Sequence, residues 1–282
     1  MRFQKVYLEI TNVCNRSCAF CPQSSRAPRF LEEGEFVCLL EKLRPWTDYL
    51  YFHLMGEPLL HPKLGRFLAL AGEAGFRVIL TTNGTLLARV EPLLLAAPAL
   101  HKVNLSLHSF EANEGGEMEA YVNTCGAFAA RAAERGILVN LRLWNGDSAV
   151  RSGWNAENAR ILALLEAQFP PPWRPSRSGS KLAERVYLDR AEIFDWPDPA
   201  AEFRNEKHSC YGLRDQIGVL CDGTVVPCCL DRDGTLDLGN LLTADLGEIL
   251  ASPRAEAILT GFRRGEAVEE LCKRCGYANR FQ

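Results

Sequence analysis

The stretch CNRSCAFCP, residues 14 to 22, separates Cys14, Cys18 and Cys21 by three and then two residues. Cysteine thiolates hold [4Fe–4S] clusters, and four of them make a complete ligand set. Three cysteines therefore hold three irons and leave the fourth iron free for another ligand. Two alternatives stay open from this stretch alone: a zinc site that a distant residue completes, or buried cysteines that pack as small apolar side chains.

Strand-like and helix-like segments alternate on both sides of this stretch. The expected strands are 6–10, 49–55, 76–82, 102–107, 137–143 and 185–188, and helical patterns separate them, for example at 117–135 and 156–169. Such alternation predicts parallel strands with right-handed crossovers. The fold class is therefore α/β, a partial (β/α)6 TIM-like barrel, with a doubly wound open sheet as the alternative. Active sites of such barrels lie at the carboxyl ends of the strands.

Composition narrows the class of protein. The 282 residues are 47% hydrophobic and 24% charged, as in ordinary soluble domains, and the net charge of −3 argues against a dedicated nucleic-acid partner. No run of 18 apolar residues and no signal peptide is found, so we expect a cytoplasmic protein without a membrane partner. In that compartment the close clusters among the eleven cysteines are better explained by metal binding than by disulfides.

The pattern changes after residue 195. Residues 170–183, PPPWRPSRSGSKLA, are interpreted as a surface loop, and the domain boundary is placed near DWPDP at 195–199. Beyond it, IGVLCDGTVVPCC predicts a hairpin around Asp222 and Gly223, and ADLGEILASP predicts a short helix. The expected domains are 1–195, the barrel, and 196–282, a small extension that covers the open side of the barrel.

Four further motifs follow the next four predicted strands. They are MGEPLLHP (55–62), TTNGT (81–85), SLH (106–108) and LRLWN (141–145). Together with the cysteine stretch, in which Phe20 precedes the last cysteine, this series resembles the radical SAM (S-adenosylmethionine) superfamily. The family has Gly-Gly-Glu-Pro after the second strand, and here Met55 replaces the first glycine.

The resemblance implies a site at one rim of the barrel. Cys14, Cys18 and Cys21 would bind a [4Fe–4S] cluster whose open iron chelates S-adenosylmethionine. The residues implied in binding this cofactor are Phe20, Gly56, Glu57, Pro58, Thr82, Asn83, Ser106, Arg142 and Asn145. Reductive cleavage of the cofactor would give a 5′-deoxyadenosyl radical that abstracts hydrogen from a substrate. An electron donor such as flavodoxin or ferredoxin is implied.

The carboxyl-terminal cysteines resemble the start of the SPASM extension of this superfamily. Cys210, Cys228 and the pair Cys272 and Cys275 match its spacing and would ligate an auxiliary [4Fe–4S] cluster. The full pattern needs further cysteines, and the sequence ends soon after Cys275, so we expect the shortened form, called a twitch domain. Zinc remains an alternative for four cysteines, and Cys229 remains an alternative to Cys228 as a ligand.

No motif identifies a catalytic base. His61, His108, Glu111, Tyr187, Asp189 and Glu192 follow predicted strands closely enough to line the site, whereas His53 is interpreted as a packed barrel residue.

The main functional hypothesis is an oxidoreductase acting on a small molecule, a sugar or a side chain. The alternative is a peptide-modifying (RiPP) maturase that forms a thioether or carbon–carbon crosslink. Such maturases often carry a leader-binding domain before the barrel, and the first strand near residue 6 leaves no space for one, which disfavours this alternative. A non-catalytic iron–sulfur carrier would not need the cofactor motifs.

Overall fold

The computed structural model describes residues 2–111, 117–146 and 155–281. Within these ranges the strands are β1 (Lys5–Leu8), β2 (Tyr49–Phe52), β3 (Arg77–Thr82), β4 (Leu100–Ser106), β5 (Leu138–Gly146), β6 (Arg174–Ser176), β7 (Gly179–Ala183), β8 (Val186–Glu192), β9 (Gln216–Val219) and β10 (Val225–Val226). The helices are α1 (Glu33–Leu43), α2 (Leu64–Glu73), α3 (Leu87–Leu95), α4 (His108–Glu111), α5 (Met118–Glu134), α6 (Asn158–Gln168), α7 (Leu246–Leu250), α8 (Pro253–Arg263) and α9 (Glu270–Lys273), with 3-10 turns at Pro58–Leu60 and Gly276–Phe281.

All strands belong to a single sheet with the order β10-β9-β1-β2-β3-β4-β5-β8-β7-β6. The pairs from β9 through β1, β2, β3, β4 and β5 to β8 are parallel, while β10, β7 and β6 pair antiparallel at the two edges. The six strands expected from the sequence form the centre of this sheet, and the described strands do not close it into a barrel. The expected α/β fold of the partial-barrel type is confirmed.

The two faces of the central strands differ in polarity because successive side chains point to opposite sides. Val6, Leu50, Val78, Val103 and Val139 are fully buried beneath the helices, as are their neighbours two residues on. The aromatic rings of Phe36 on α1 and Phe67 on α2 stack 4.0 Å apart in this layer. The opposite face carries polar and aromatic residues, so the sheet has one face for packing and one that faces a cavity.

The extension beyond residue 195 does more than cover an open side. Strand β9 pairs in parallel with β1 over Lys5↔Gln216 to Leu8↔Val219, so the extension continues the central sheet. The expected hairpin is present as β9 and β10, with Gly223 in its turn at a φ of +88°. The boundary near residue 195 stays a prediction.

The interpretation of residues 170–183 as a surface loop was wrong. Residues Arg174–Ser176 and Gly179–Ala183 form the hairpin β6–β7, which pairs with β8. Pro175 is tolerated there because β6 is an edge strand and needs no backbone donor on its outer side. The proline-rich and serine-rich sequence has no strand-like alternation of apolar and polar residues, so the hairpin was not predicted. Pairing with β8 stabilises it instead.

No described helix combines the length and the apolar composition that a bilayer crossing requires.

Candidate active site and second cysteine site

The cysteine stretch lies on a loop that hydrogen bonds fasten at both ends. Thr11 pairs with Phe30 as an isolated antiparallel bridge, and the Thr11 hydroxyl donates to the Arg29 carbonyl at 2.8 Å. The Asn12 side chain donates to the Ala27 carbonyl at 2.9 Å and accepts from the Arg29 amide at 2.7 Å. The loop is therefore closed at its base, and its cysteines are held in front of the carboxyl end of β1.

The three thiols are not core side chains. Cys14 is exposed, and Cys18 and Cys21 are half-buried. All three line one cavity of about 1070 Å³. Partial burial raises the pKa of Cys14 and of Cys21, and neighbouring thiols of the set add to both effects. The alternative that these cysteines pack as small apolar side chains does not fit this placement.

A buried carboxylate that sequence reasoning missed connects the loop to the rest of the molecule. Glu9 is 1% exposed and accepts two hydrogen bonds from Arg26 on the cysteine loop, at 2.7 and 2.8 Å. The same carboxylate accepts the Met55 amide at 3.2 Å and the Cys221 amide at 3.0 Å. Glu9 thus ties together the cysteine loop, the end of β2 and the carboxyl-terminal extension. An acidic residue in an otherwise apolar strand, VYLEI, was the available signal.

Gly56 makes the close approach between the Gly-Glu-Pro stretch and the cysteine loop possible. Its φ is +73°, and a Cβ at this position would lie 2.4 Å from the Thr11 carbonyl oxygen. The next amide, that of Glu57, donates to the Val13 carbonyl at 2.8 Å, one residue before Cys14. Only glycine fits here, because both the backbone conformation and the space exclude a side chain.

The Glu57 side chain fixes the relative position of two motifs. It is 2% exposed and accepts from the Thr82 hydroxyl at 2.6 Å, the Asn83 amide at 2.7 Å and the Leu59 amide at 3.0 Å. Burial raises its pKa to about 7, although the three hydrogen bonds act in the opposite direction. Its role is to hold the Gly-Glu-Pro and Thr-Asn-Gly stretches against each other.

Asn83 extends this connection back to the cysteine loop. Its side-chain amide nitrogen donates to the Asn15 side-chain oxygen at 2.9 Å, and its backbone carbonyl accepts from the Tyr121 hydroxyl at 2.7 Å. Tyr121, on α5, was not found from the sequence, because nothing in its local pattern distinguishes it from a packing residue. The amide, hydroxyl and carbonyl groups of this rim can bind a zwitterionic ligand such as an amino acid moiety.

The ends of β4 and β5 bring a second group of residues to the cavity. Ser106 and Arg142 are register partners, and both line the cavity. The Arg142 guanidinium lies 4.4 Å from the centre of the Trp144 ring, and its buried Nε has no hydrogen-bond partner. Burial lowers the pKa of Arg142, while the Asp189 charge acts against this.

Two of the expected cofactor residues are placed differently. Asn145 is 2% exposed and exchanges side-chain hydrogen bonds with Asn158 at 3.0 and 3.1 Å, and it does not line the cavity. Pro58 starts the 3-10 turn behind Glu57 and is also outside the lining. The cavity is lined by the remaining seven: Phe20, Gly56, Glu57, Thr82, Asn83, Ser106 and Arg142.

The histidines divide into structural and cavity-lining residues. His61 is held by the Leu31 carbonyl at 3.0 Å and the Lys63 amide at 3.1 Å, away from the cavity. His53 and His108 line the cavity, and burial lowers their pKa to about 3 and about 4. Both rings are neutral at pH 7. His53, interpreted as a packing residue, therefore belongs to the cavity, and His108 contacts the Phe20 ring at 4.9 Å.

Three further polar candidates do not line the cavity. Tyr187, Asp189 and Glu192 are on β8, and the Asp189 carboxylate accepts from Ser178 and Asn140. The side chain of Glu111 lies outside the described residues.

The second cysteine set opens onto the same cavity. Cys210 precedes β9, Cys228 follows β10, Cys272 lies in α9, and Cys275 lies two residues beyond the end of α9. Burial raises the pKa of Cys228 well above its usual range, and the neighbouring thiols contribute in the same direction: Cys229, Cys210, Cys272 and Cys275. The structure therefore brings the four expected ligands together.

The adjacent cysteines have other partners. A hydrogen bond joins Cys229 to the Tyr7 hydroxyl, and Cys221 lies 3.6 Å from the Arg26 guanidinium. In the ranges that the structure describes, no three Cys, His, Asp or Glu side chains are arranged to hold a single metal ion. Four thiolates can ligate either a zinc ion or a [4Fe–4S] cluster.

Comparison with known proteins matches both parts of the chain to known families. Residues 8–137 match the model of the radical SAM superfamily, and residues 210–276 match that of the SPASM iron–sulfur cluster-binding domain. The S-adenosyl-L-methionine-dependent 2-deoxy-scyllo-inosamine dehydrogenase of Niallia circulans is 29% identical over 116 residues, which is 38% of this chain and 46% of that protein. The matched segments span less than half the length of the curated relatives.

Solved structures share the fold. BtrN in complex with AdoMet and 2-DOIA has a TM-score of 0.56 at 19% identity, over 98% of this chain and 93% of that chain. Streptococcus suis SuiB bound to precursor peptide SuiA has a TM-score of 0.61 at 15% identity, over 98% and 70%.

A radical SAM domain implies S-adenosylmethionine and a [4Fe–4S] cluster, and a SPASM domain implies further iron–sulfur binding. The two cysteine sets and the glycine cradle at Gly56 fit these groups. The chain belongs to the radical SAM superfamily and carries a carboxyl-terminal SPASM/twitch domain.

Proposed function

We propose that the protein reductively cleaves S-adenosylmethionine and oxidises a small molecule, a sugar or a side chain, with one auxiliary [4Fe–4S] cluster as electron acceptor. When bound, the cofactor and its cluster would supply a 5′-deoxyadenosyl radical able to abstract hydrogen from the substrate. All other steps depend on how this chain binds and orients the reacting groups.

Each set of residues has a separate task in this proposal. Cys14, Cys18 and Cys21 hold the first cluster, and Cys210, Cys228, Cys272 and Cys275 hold the auxiliary one. The backbone around Gly56 and the Thr82–Asn83 turn would bind the methionine end of the cofactor, and Ser106 its nucleoside side. Glu57 positions these two stretches through its three hydrogen bonds.

One observation carries the proposal: both cysteine sets line the same cavity of about 1070 Å³. A substrate in this cavity can lie between the cofactor rim and the auxiliary site. A second set that served only to stabilise the extension would not need to face the substrate space. Aromatic side chains such as Trp144, Phe194, Trp196 and Tyr277 line it and would keep water from a radical.

The reaction needs an external reductant. A flavodoxin or a ferredoxin is the class of donor that we propose, because the first cluster has to receive a single electron at low potential.

A second candidate function is peptide modification. Its support is the similarity in fold to SuiB, which is bound to its precursor peptide, and to anSMEcpe bound to the Cp18Cys peptide at a TM-score of 0.63. A short precursor-peptide gene beside this gene would favour the maturase, and sugar-modifying genes would favour the oxidoreductase.

Anaerobically reconstituted protein tests the shared part of both functions. Reduced with dithionite, it is expected to convert S-adenosylmethionine to 5′-deoxyadenosine and methionine, measured by liquid chromatography. Slow turnover without substrate is expected. Protein with full iron content that does not bind the cofactor would rule the proposal out.

A further inference from the structure

Three basic side chains line the cavity on the inner face of the sheet. Lys5 lies at the start of β1, Lys102 in β4 and Arg142 in β5. We call them the basic subsite. They are close enough for their charges to interact: burial, the Arg142 charge and the Lys5 charge all lower the pKa of Lys102, while Asp189 raises it.

The basic subsite has no counter-ion among the described residues. No described carboxylate forms an ion pair with Lys5, Lys102 or Arg142. The carboxylate whose charge reaches Lys102 and Arg142 is that of Asp189, and it accepts hydrogen bonds from Ser178 and Asn140 instead. The buried Nε of Arg142 has no acceptor.

Such an arrangement is unfavourable unless an anion completes it. Like charges at short range repel, and a buried donor without an acceptor costs free energy. The remaining cavity wall offers neutral groups at this level, among them Tyr7, Tyr51 and His53. Burial, together with the Arg142 charge, lowers the pKa of His53 and keeps its ring neutral. The positive charge therefore faces the space in which a substrate would lie.

The depth of Lys102 separates it from the cofactor rim. It lies four residues before Ser106 in β4, which corresponds to about 13 Å along a strand. The backbone of Arg142 lies beside that of Ser106. The charge of its guanidinium group, however, acts on Lys102, Tyr51 and His53, which lie toward the interior of the cavity. We propose that Lys102 and Arg142, with Lys5 contributing charge, bind a carboxylate or phosphate group of a small anionic substrate.

This inference rests on the proposed function, because it names the substrate class of the same cavity. The test uses the reconstituted protein with S-adenosylmethionine bound, in buffer of low ionic strength. Inorganic phosphate and succinate are titrated separately by isothermal titration calorimetry. Tighter binding of phosphate indicates a phosphate ester, and tighter binding of succinate a carboxylate.

Three variants make the titration specific. Lys102→Met is expected to weaken anion binding by at least about tenfold, since it removes a charged hydrogen-bond donor. Lys102→Arg keeps the charge and is expected to retain most of the affinity. Lys207→Met removes an exposed lysine outside the cavity lining and is expected to leave binding unchanged.

The outcomes are distinct. Binding of neither anion, or equal losses in Lys102→Met and Lys207→Met, would overturn the inference. Arg142→Met protein that loses affinity for S-adenosylmethionine while it retains anion affinity would return Arg142 to the cofactor and overturn its part in the subsite. Cofactor cleavage by the wild-type protein is measured in the same preparation, so a failure of the proposed function is recognised separately.

Discussion

At the scale of single residues, adding one methyl group at Gly56 is expected to disturb the cysteine loop. Its positive φ disfavours any side chain at this position. A Cβ would also collide with the Thr11 carbonyl, which is a backbone group and cannot rotate away as a flexible side chain can. The cysteine loop would have to move to accommodate it. Gly136 offers a matched comparison, because it has a φ of +81° with nothing within 4 Å of the Cβ position.

We expect Gly56→Ala to weaken binding of S-adenosylmethionine by roughly tenfold or more, equivalent to about 1.4 kcal/mol. Calorimetry on the reconstituted protein measures this. Gly136→Ala carries a similar backbone penalty of about 1 kcal/mol, so it is expected to lower stability without changing cofactor affinity. Equal cofactor affinity in the two variants would show that the close approach at Gly56 has no role in binding.

Folding raises the pKa of the Glu57 carboxyl group into a range that a pH titration can measure. Its pKa of about 7 lies above that of an exposed glutamate, because burial outweighs three hydrogen bonds. The folded state therefore retains the proton that the unfolded state has lost between about pH 4.5 and pH 7. This carboxyl group consequently stabilises the folded state most at low pH, and its contribution decreases as the pH rises through that window.

The expected observation is a protonated carboxyl band that disappears with a midpoint near pH 7. Infrared difference spectra of wild-type and Glu57→Gln protein assign the band. A midpoint near the ordinary value of about 4.3 would mean that the three hydrogen bonds outweigh burial.

At the scale of elements, each cysteine set belongs to a segment that other elements hold in place. The first set depends on the bridge between Thr11 and Phe30, and the second on β9, β10 and α9. Their separation along the chain allows each site to be removed independently.

Replacing Cys14, Cys18 and Cys21 with alanine is expected to lower the iron content from about eight to about four per chain and to abolish cofactor cleavage. The remaining cluster would have four protein ligands and no open iron. Iron analysis and 5′-deoxyadenosine release measure the two effects. Cleavage that survives in this variant would mean that the assignment of the two clusters is wrong.

Replacing Cys272 and Cys275 is also expected to leave about four irons, but with cofactor cleavage retained and product formation lost. Cys228→Ala is expected to behave in the same way, because its thiol lies among the other three. Cys229→Ala is the adjacent control, because the Cys229 thiol is hydrogen-bonded to Tyr7. This variant is expected to keep about eight irons. Zinc found in the second site would contradict this prediction.

At the scale of the whole molecule, the extension and the barrel share one sheet. Strand β9 supplies parallel hydrogen bonds to β1, and Ile217 and Val219 are fully buried. Glu9 adds a second connection through the Cys221 amide. The two parts therefore stabilise each other.

A chain that ends at residue 208 is expected to aggregate, because it leaves the β1 edge unpaired and apolar surface exposed. Size-exclusion chromatography compares it with full-length protein that carries Cys272→Ala and Cys275→Ala, which loses the second metal site but keeps β9. A monomeric, iron-loaded fragment would show that the barrel is stable without the extension.

The sequence by itself determined the parts of the molecule that local pattern encodes. Alternating apolar strands and amphipathic helices predicted the six central strands, and Asp222–Gly223 predicted the β9–β10 turn, because backbone preferences and side-chain periodicity act over a few residues. The spacing of Cys14, Cys18 and Cys21 and the order of the strand-end motifs predicted the family. All of these features are read from neighbours in the chain.

Only the tertiary structure decided which distant groups meet. The pairing of β9 with β1, the Glu9 contacts with Arg26 and Cys221, and the hairpin β6–β7 depend on segments far apart in sequence. The position of Cys228 near Cys210, Cys272 and Cys275 and the hydrogen bond of Cys229 with Tyr7 are likewise set by the fold. The basic subsite depends on three strands that share one face. Burial and the proximity of charges are set by the folded sheet as a whole, so no local pattern contains them.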